Sequence, residues 1–412
     1  MKLLNGNIRA FSDAIQWELL PLTFQQAITA THRLGLKFIW IDALCIIQDS
    51  KDDWQVEAAL MAGVYANCHV NLSADASTDG TGGLSRDRDM DTYRRACIVP
   101  SSRSRTSGGN QVQQLYCGHV DGWLRDVETA PLRDRAWVHQ ERFLSPRVIH
   151  FSDNEVHWEC VHLLTSESVP DELRVTQAMI LANDKSTVFG SADLPLAGRR
   201  KKLYRLWDEL VGYYSEASLT YASDRQVAFS GLANAMSHLL GLEPGDYLSG
   251  HWRPRFIDSL SWMALKGTGR REDGTGSAPS WSWLSVGSWV RPWTKHRFSE
   301  NVAELLETEA VPMHPSDPFG PVLSVSARVR APICEVVFAQ APATFFEHCE
   351  HPERCSVVMM AGSHALRQGV SFSLRPDDTS AAGLLDVMGG NCFLLLLSAV
   401  VPDDVALAGF DR

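Results

Sequence analysis

The residue with the clearest chemical potential is Glu57, which stands where an apolar side chain is expected. Residues 51–68 place apolar side chains at the three- and four-residue spacing of one helix face, and Glu57 falls within that face. An unpaired carboxylate is costly to bury. Two interpretations follow, an internal ion pair or hydrogen bond, and a carboxylate kept for a ligand. The spacing alone favours the internal partner.

Asp42 is the second candidate for chemistry. It closes the apolar run FIWID, which we interpret as a strand buried on both faces because its apolar residues do not alternate with polar ones. In open parallel sheets, ligands collect beyond the carboxyl ends of the strands. Asp42 would stand at such an end, and its alternative role is to cap the following turn. Trp40, two residues earlier, is a candidate substrate contact.

Further candidates lie downstream. Glu141 and Arg142 occupy a predicted helix that begins near Arg133, from which both could reach the edge of the sheet. Helix packing and an ion pair are the favoured alternative for this pair. In VHWEC, Trp158 is expected on one strand face, with His157 and Glu159 on the other. That polar pair would line a pocket or, more commonly, face water.

Trp281 and Trp283 lie in PSWSWLSVGSW, 279–289, at a spacing that puts them on one face of a strand. The favoured interpretation is a core-facing strand. The alternative is an aromatic wall for a large apolar ligand.

The order of predicted elements indicates an α/β fold. Residues 22–35 are typical of a helix, with Thr23 and Gln26 spaced as a capping box. A strand at 37–41, a helix at 52–67 and a strand at 69–74 follow. Helix and strand in alternation favour a parallel sheet with crossover helices.

Three regions are predicted along the chain. Residues 1–165 form an α/β domain with an irregular insertion at about 75–110, and end in a hairpin at RVIHF and VHWEC. Residues 166–245 form a helical connection. Residues 246–412 contain short β-like runs and are expected to form a β-rich domain, which makes the chain α+β overall.

The composition excludes several classes of function. The 412 residues carry a net charge of −11, which argues against a surface that tracks nucleic-acid phosphates. We find neither a signal sequence nor an apolar run long enough to span a bilayer. Nine cysteines at irregular spacing favour reduced thiols and a cytoplasmic location.

The sequence predicts neither a metal site nor a resident cofactor. EHCEHPERC, 347–355, holds residue types that suit zinc, but its spacing matches no known zinc motif. Phosphate-binding, dinucleotide-binding and serine-hydrolase motifs are also missing from the sequence.

Several ordered motifs resemble those of the fungal heterokaryon-incompatibility (HET) domain family. They are FIWIDALCIIQD, the segment from DDWQVEAALM to SADAS, GTGGLS, and DRAWVHQERFLSPRVIHFSDNEVHWEC, with family-like text at 219–233 and 278–287. The resemblance covers most of residues 20–290. One departure stands out, because the opening strand Y-x-A-L-S-Y-x-W-G of the family has no counterpart before Leu20.

The resemblance implies a role in fungal non-self recognition, in which such domains trigger growth arrest or cell death. Their fold is similar to that of Toll/interleukin-1 receptor (TIR) domains, some of which hydrolyse NAD with a glutamate in a W-x-x-E setting. Trp54-Gln55-Val56-Glu57 has this form. By this analogy Glu57 is catalytic, Trp54 walls the pocket, NAD is the substrate and a signalling protein is the partner.

A second hypothesis is an enzyme of secondary metabolism on a HET scaffold. Its motivation is the 13 tryptophans and the lack of redox or phosphate motifs. Such an enzyme would catalyse a cofactor-free cyclisation or cycloaddition of a small apolar substrate by holding it in shape. A large apolar pocket lined by tryptophan would support this hypothesis, and a solid core would oppose it. The oligomeric state is left open.

Overall fold

The computed structural model divides the chain into two compact units, residues 1–203 and 204–412. This division does not test the three-region prediction. The structure describes residues 1–88, 97–101, 113–117, 122–169, 185, 195–264, 278–279, 281–287, 289–292, 299–301, 303–330, 333–339, 357–359, 372–373, 392–395 and 398–400. The EHCEHPERC segment lies outside the described residues.

The described helices are α1 Ile8–Asp13, α2 Leu22–Arg33, α3 Asp42–Cys45, α4 Lys51–Asn67, α5 Ala136–Leu144, α6 Leu196–Glu216, α7 Arg225–Leu240 and α8 Phe256–Ser259. The described strands are β1 Asn71–Ser73, β2 Cys97–Ser101, β3 Gln113–Cys117, β4 Arg147–Phe151, β5 Val156–Cys160, β6 Leu164–Ser166, β7 Tyr247–Leu248, β8 His251–Trp252, β9 Trp262–Ala264, β10 Val290–Pro292, β11 Ser299–Asn301, β12 Glu304–Pro312, β13 Val322–Arg330, β14 Ile333–Ala339, β15 Val357–Met359, β16 Phe372–Ser373, β17 Cys392–Leu395 and β18 Ser398–Val400.

The first unit is built around a four-stranded mixed sheet in the order β1-β4-β5-β6. β1 pairs with β4 in parallel, while β4, β5 and β6 are antiparallel neighbours. The predicted hairpin at RVIHF and VHWEC is confirmed, with His150 opposite His157. The α+β class is confirmed, and parallel pairing in this sheet is limited to the β1–β4 pair.

The strand predicted at 37–41 is wrong. These residues form no strand and are unpaired, and the side chain of Phe38 is 90% exposed. An apolar run satisfies the pattern of a buried strand, but a strand also needs neighbours for its backbone groups, and none pairs with this segment in the described part of the chain. Asp42 therefore begins the short helix α3 rather than ending a strand, and its Oδ1 accepts a hydrogen bond from the backbone N–H of Ala43.

Helix α2 is confirmed, but its predicted capping box is wrong. Pro21 holds the N-cap position, and the two predicted capping side chains bind a distant loop. Thr23 Oγ1 accepts a hydrogen bond from the N–H of Gly83, and Gln26 Oε1 accepts from the N–H of Ser85 at 2.9 Å. The two residues therefore fix the GTGGLS loop against the helix.

Helix α4 matches its prediction closely. Ser50 caps it, since its hydroxyl accepts a hydrogen bond from the N–H of Asp53. Ala58 and Met61 are buried as the spacing predicted, while Val56 and Leu60 are more than half exposed. The helix is thus buried along a narrow stripe, and Glu57 stands beside that stripe.

The second unit has its own aromatic core. Helix α6 carries the buried rings of Trp207 and Tyr214, and α7 carries that of Phe229. Trp207 packs edge-on against Trp252, with 5.1 Å between ring centroids. The long hairpin β12–β13 and several short antiparallel pairs follow, in line with the expected β-rich region.

No helix in the described ranges combines the length and apolar character that crossing a membrane requires.

Candidate functional site

Three neighbouring elements, α3, α4 and α5, each carry one carboxylate predicted for the site, and α5 packs against α4. Partial burial raises the pKa of the Cys45 thiol, and the negative charges of Asp42 and Glu57 add to the effect. Asp42 also acts on the buried carboxyl of Glu141 and on the phenol of Tyr65. We call Asp42, Glu57 and Glu141 the acidic cluster, and Tyr65 shares a hydrogen bond with Glu141. The three carboxylate residues are 15 to 99 positions apart in the sequence.

Glu57 is partly buried in this cluster. Within the described ranges, its carboxylate has neither a hydrogen bond nor an ion pair. The internal partner that its spacing favoured is therefore not found there. An ionisable group that is shielded and unpaired is available to a ligand.

Glu141 has a different environment from Glu57. Burial raises the pKa of Glu141 to about 7, with the charge of Asp42 adding to the effect, while Arg135 and a hydrogen bond with Tyr65 act in the opposite direction. Burial and the negative charge of Glu141 also raise the pKa of Tyr65. The cluster therefore holds one carboxyl that keeps a proton near neutral pH, next to others that are exposed or half exposed.

Aromatic rings flank the acidic cluster. Trp40 packs edge-on against Tyr65, with 5.8 Å between ring centroids, and Trp54 packs edge-on against Trp137 at 6.4 Å. Both tryptophans are partly buried. Five residues predicted for the site from sequence, Asp42, Glu57, Glu141, Trp40 and Trp54, are thus on or next to the elements that carry the cluster.

Arg142 points away from its neighbour Glu141, into a buried charge network. Its Nε donates to Glu159 Oε2 at 2.7 Å and its Nη2 donates to Glu128 Oε1 at 2.9 Å. The ion pair that the sequence analysis favoured for this residue is present, although Glu159 and Glu128 rather than Glu141 are its partners. A role in substrate binding stays a prediction.

His150 joins the same network from β4. Its Nδ1 lies 2.7 Å from Asp75 Oδ2 and its Nε2 lies 3.0 Å from Glu159 Oε2. Lys185 adds a third positive group, with Nζ 3.1 Å from Glu159 Oε1. Strand β5 therefore presents a carboxylate that binds three cationic side chains at once.

The electrostatics of the network follow from this pairing. Burial alone would raise the pKa of Glu128, but Arg142 and Arg133 lower it to about 2. The pKa of Glu159 is held well below its usual range against the effect of burial, mainly by Arg142 and Lys185. The pKa of His150 is raised, because Asp75 outweighs the cost of burial. The network is accordingly a set of matched charges that can stay ionised in the core.

A cavity of about 10 Å³ adjoins the network, lined by Ser73, Asp75, Val127, Arg133, Val138, His139, Arg142 and His150. Such a volume holds about one water molecule. The charge network therefore serves the packing of α5 against the sheet and offers no room for a nucleotide.

The remaining predicted site residues lie apart from the acidic cluster. Trp158 is partly exposed on β5, on the face opposite His157 and Glu159. Those two polar residues form the buried face, so the expectation that they would face water is wrong. They are buried because His150, Asp126 and Arg142 supply polar partners for them.

The strand predicted at SWSWLSV is wrong. Trp283–Ser285 is a 3₁₀ turn, capped by Ser282, whose hydroxyl accepts from the N–H of Leu284. Trp283 is buried against Tyr214 and Phe229, and its Nε1 donates to the carbonyl of Gly250. Trp281 packs against His251 and Phe256. These rings fill a core, and the Trp-lined pocket needed by a cyclase is not found among them.

Asp75, Glu128 and His150 of the charge network were not predicted from the sequence, while Glu159 was predicted only as half of a polar pair with His157. Their signal was present in the alternation of strands β4 and β5, where His150, His157 and Glu159 occupy the faces that turned out to be buried. Polar residues at alternate positions of a strand predict a face exposed to water, unless the polar partners that could bury them are known. Those partners come from distant positions and leave no local pattern.

The fold and these two groups of side chains define an α+β protein with an acidic cluster beside a charge-stabilised sheet. Residues 5–141 match the family described as heterokaryon incompatibility protein (HET). Residues 5–141 therefore form a HET domain, as the motifs predicted. No curated protein and no solved structure matches the chain.

Proposed function

We propose that this protein acts in heterokaryon incompatibility and that its HET domain cleaves NAD between nicotinamide and ribose, with Glu57 as the catalytic carboxylate. The single observation that carries the proposal is the state of Glu57. It is partly buried in an acidic cluster and has neither a hydrogen bond nor an ion pair within the described ranges. Growth arrest after depletion of NAD would be the output.

The reaction needs a negative charge at a fixed place. When the bond between ribose C1′ and the nicotinamide nitrogen breaks, its electron pair leaves with nicotinamide and positive charge develops on the ribose. A preorganised carboxylate stabilises that charge. Water then adds to C1′ and gives up a proton, so that nicotinamide and ADP-ribose are the products. Glu57 fits the first role because no internal cation competes for it in the described part of the chain.

The other cluster members fit supporting roles. Glu141, whose pKa burial raises to about 7, keeps a proton near neutral pH and can donate a hydrogen bond to a ribose hydroxyl. Trp40, which packs against Tyr65, and Trp54, which packs against Trp137, can offer aromatic faces to the substrate. The positive charge of oxidised nicotinamide suits an acidic surface.

The test is expression of the full chain in yeast under an inducible promoter, with intracellular NAD and growth measured after induction. Wild-type protein is expected to lower NAD and stop growth, because cleavage depletes the cofactor pool. Glu57→Gln is expected to remove both effects, since it preserves the shape of the side chain and removes its charge. Asp52→Asn, on an exposed residue of the same helix, is the matched control and should act as wild type.

Two results would contradict parts of the proposal. Growth arrest with unchanged NAD would reject cleavage and leave contact with a protein partner as the route to arrest. Equal loss of NAD with wild type and Glu57→Gln, at matched protein levels, would reject Glu57 as the catalytic carboxylate.

A further inference from the structure

A second group of side chains in the first unit has the composition of a metal site. Asp126, in the π-helical turn Leu124–Glu128, Glu155, in the β4–β5 turn, and His157 on β5 each offer a ligand atom, and these atoms lie within 4.8 Å of one another. All three residues are at least nine-tenths buried. We propose that Asp126, Glu155 and His157 bind a divalent transition-metal ion.

The distance between two of these side chains fits two ligands of one metal ion better than it fits a hydrogen bond between them. His157 Nε2 lies 3.3 Å from Asp126 Oδ2, whereas hydrogen bonds between charged nitrogen and oxygen are usually about 2.7–2.9 Å long. Two ligand atoms that are each about 2.1 Å from one ion, at angles of 90–110°, stand about 3.0–3.4 Å apart. The observed separation falls in that range.

His150, which pairs with His157 across the hairpin, supplies an internal comparison. Both rings pack edge-on against Trp123 with 5.5 Å between centroids, so their apolar surroundings are alike. His150 contacts a carboxylate through each nitrogen, at 2.7 and 3.0 Å. His157 makes the one longer contact with Asp126, and its buried Nδ1 has no partner in the described part of the chain. Both ring nitrogens of His150 thus have a carboxylate partner, while His157 has one long contact and one buried nitrogen without a partner in the described part of the chain.

The carboxylates are held by further hydrogen bonds that would orient them toward an ion. Arg125 Nε and Asn154 Nδ2 donate to Asp126 Oδ1, at 2.9 and 2.6 Å, while Oδ2 is the oxygen turned toward His157. The N–H of Ser168 donates to Glu155 Oε2 at 3.0 Å. Hydrogen bonds of this kind around the ligands are typical of metal sites.

The ligand chemistry indicates the class of ion. One imidazole and two carboxylates suit Mn²⁺, Zn²⁺ and similar ions, and they differ from the thiolate sets that favour softer metals. Three protein ligands would leave at least one position for water. This inference departs from the sequence analysis, which expected no metal. Asp126 lies within the segment that matches the HET family, whereas Glu155 and His157 lie beyond it, and none of the three is used in the proposed cleavage of NAD.

The test is titration of MnCl₂ into the full-length protein after treatment with a chelator, followed by calorimetry and by metal analysis after dialysis. One equivalent is expected to bind. His157→Gln and, separately, Glu155→Gln are expected to weaken this binding at least about 10-fold, because each removes a direct ligand. His162→Gln, on an exposed histidine just after β5, is the matched control and should bind as wild type.

Circular dichroism of the metal-free variants shows whether each is folded, and the Glu155 variant keeps the test valid if the His157 variant is not. A ZnCl₂ titration that shows one equivalent dependent on His157, with no binding of Mn²⁺, would also support the site and define it as zinc-selective. The inference is wrong if neither ion binds, or if binding is equal in the wild type and both ligand variants.

Discussion

At the scale of single residues, environment separates two glutamates of the acidic cluster. Glu57 belongs to α4 and its place beside the buried stripe could be predicted from helical spacing. The environment of Glu141 could not be predicted, since it depends on Asp42 and Tyr65, which lie 99 and 76 positions away in the sequence. Residue type and spacing thus identified where a carboxylate stands, and long-range packing determined which carboxyl keeps its proton.

The raised pKa of Glu141 makes stability depend on pH. A carboxyl whose folded pKa lies above its unfolded value binds a proton more tightly in the folded state, so its contribution to stability is lost as pH rises. With a folded pKa of about 7 against an ordinary 4.5, wild-type protein should lose up to about 3 kcal/mol between pH 4.5 and pH 7 from this group. Urea unfolding at pH 5, 6, 7 and 8 measures the loss.

Glu141→Gln is expected to make the free energy of unfolding depend less on pH between pH 5 and 8. The variant should also be more stable than wild type at pH 8, because the amide cannot ionise. Glu18→Gln is the control, since Glu18 is exposed in a short 3₁₀ turn. An unchanged slope in the Glu141 variant would show that another group titrates in this range.

At the scale of elements, the sequence predicted which helices and hairpins form better than it predicted which segments pair or bind one another. Helices α2 and α4 and the β4–β5 hairpin lie where periodicity and turn residues indicated. The segment 37–41 has the composition of a strand but no neighbour pairs with it in the described ranges, and Thr23 and Gln26 bind a loop 60 positions away instead of capping α2. Local patterns report local propensity, while pairing depends on contacts between distant residues.

The charge network joins several elements and makes a prediction about stability. Arg142 on α5 binds Glu128 in the π-helical turn and Glu159 on β5. Arg142→Met would leave two buried carboxylates without their main partner, and we expect a loss of about 3–5 kcal/mol in the free energy of unfolding. Chemical denaturation at pH 7 measures it.

Arg147→Met is the matched control, because Arg147 is exposed on β4 and donates only to the carbonyl of His69 among the described contacts. Its cost should stay below about 1 kcal/mol. Equal effects of the two substitutions would contradict a special role for the network. Cleavage of NAD by the Arg142 variant at low temperature, while it stays folded, would separate this structural role from substrate binding.

At the scale of the whole molecule, the α+β class and the HET domain could be predicted, and the arrangement of the tryptophans could not. The sequence contains 13 tryptophans, but their number does not show whether they line a pocket or fill a core. In the second unit Trp207, Trp252 and Trp283 are buried and pack against one another or against Tyr214 and Phe229. Since these rings pack as a core in the described part of the second unit, the functional proposal rests on the HET domain, residues 5–141.

The central claim is that Glu57 cleaves NAD, and release of nicotinamide by the purified full-length protein tests it most directly. Chromatography of a reaction with NAD gives the rate for wild type, Glu57→Gln and the control Asp52→Asn. We expect steady release by wild type and by the control, and a loss of about 100-fold or more in the Glu57 variant, since a charge that stabilises the transition state is removed. Intact NAD with folded wild-type protein, or equal rates for wild type and Glu57→Gln, would contradict the claim.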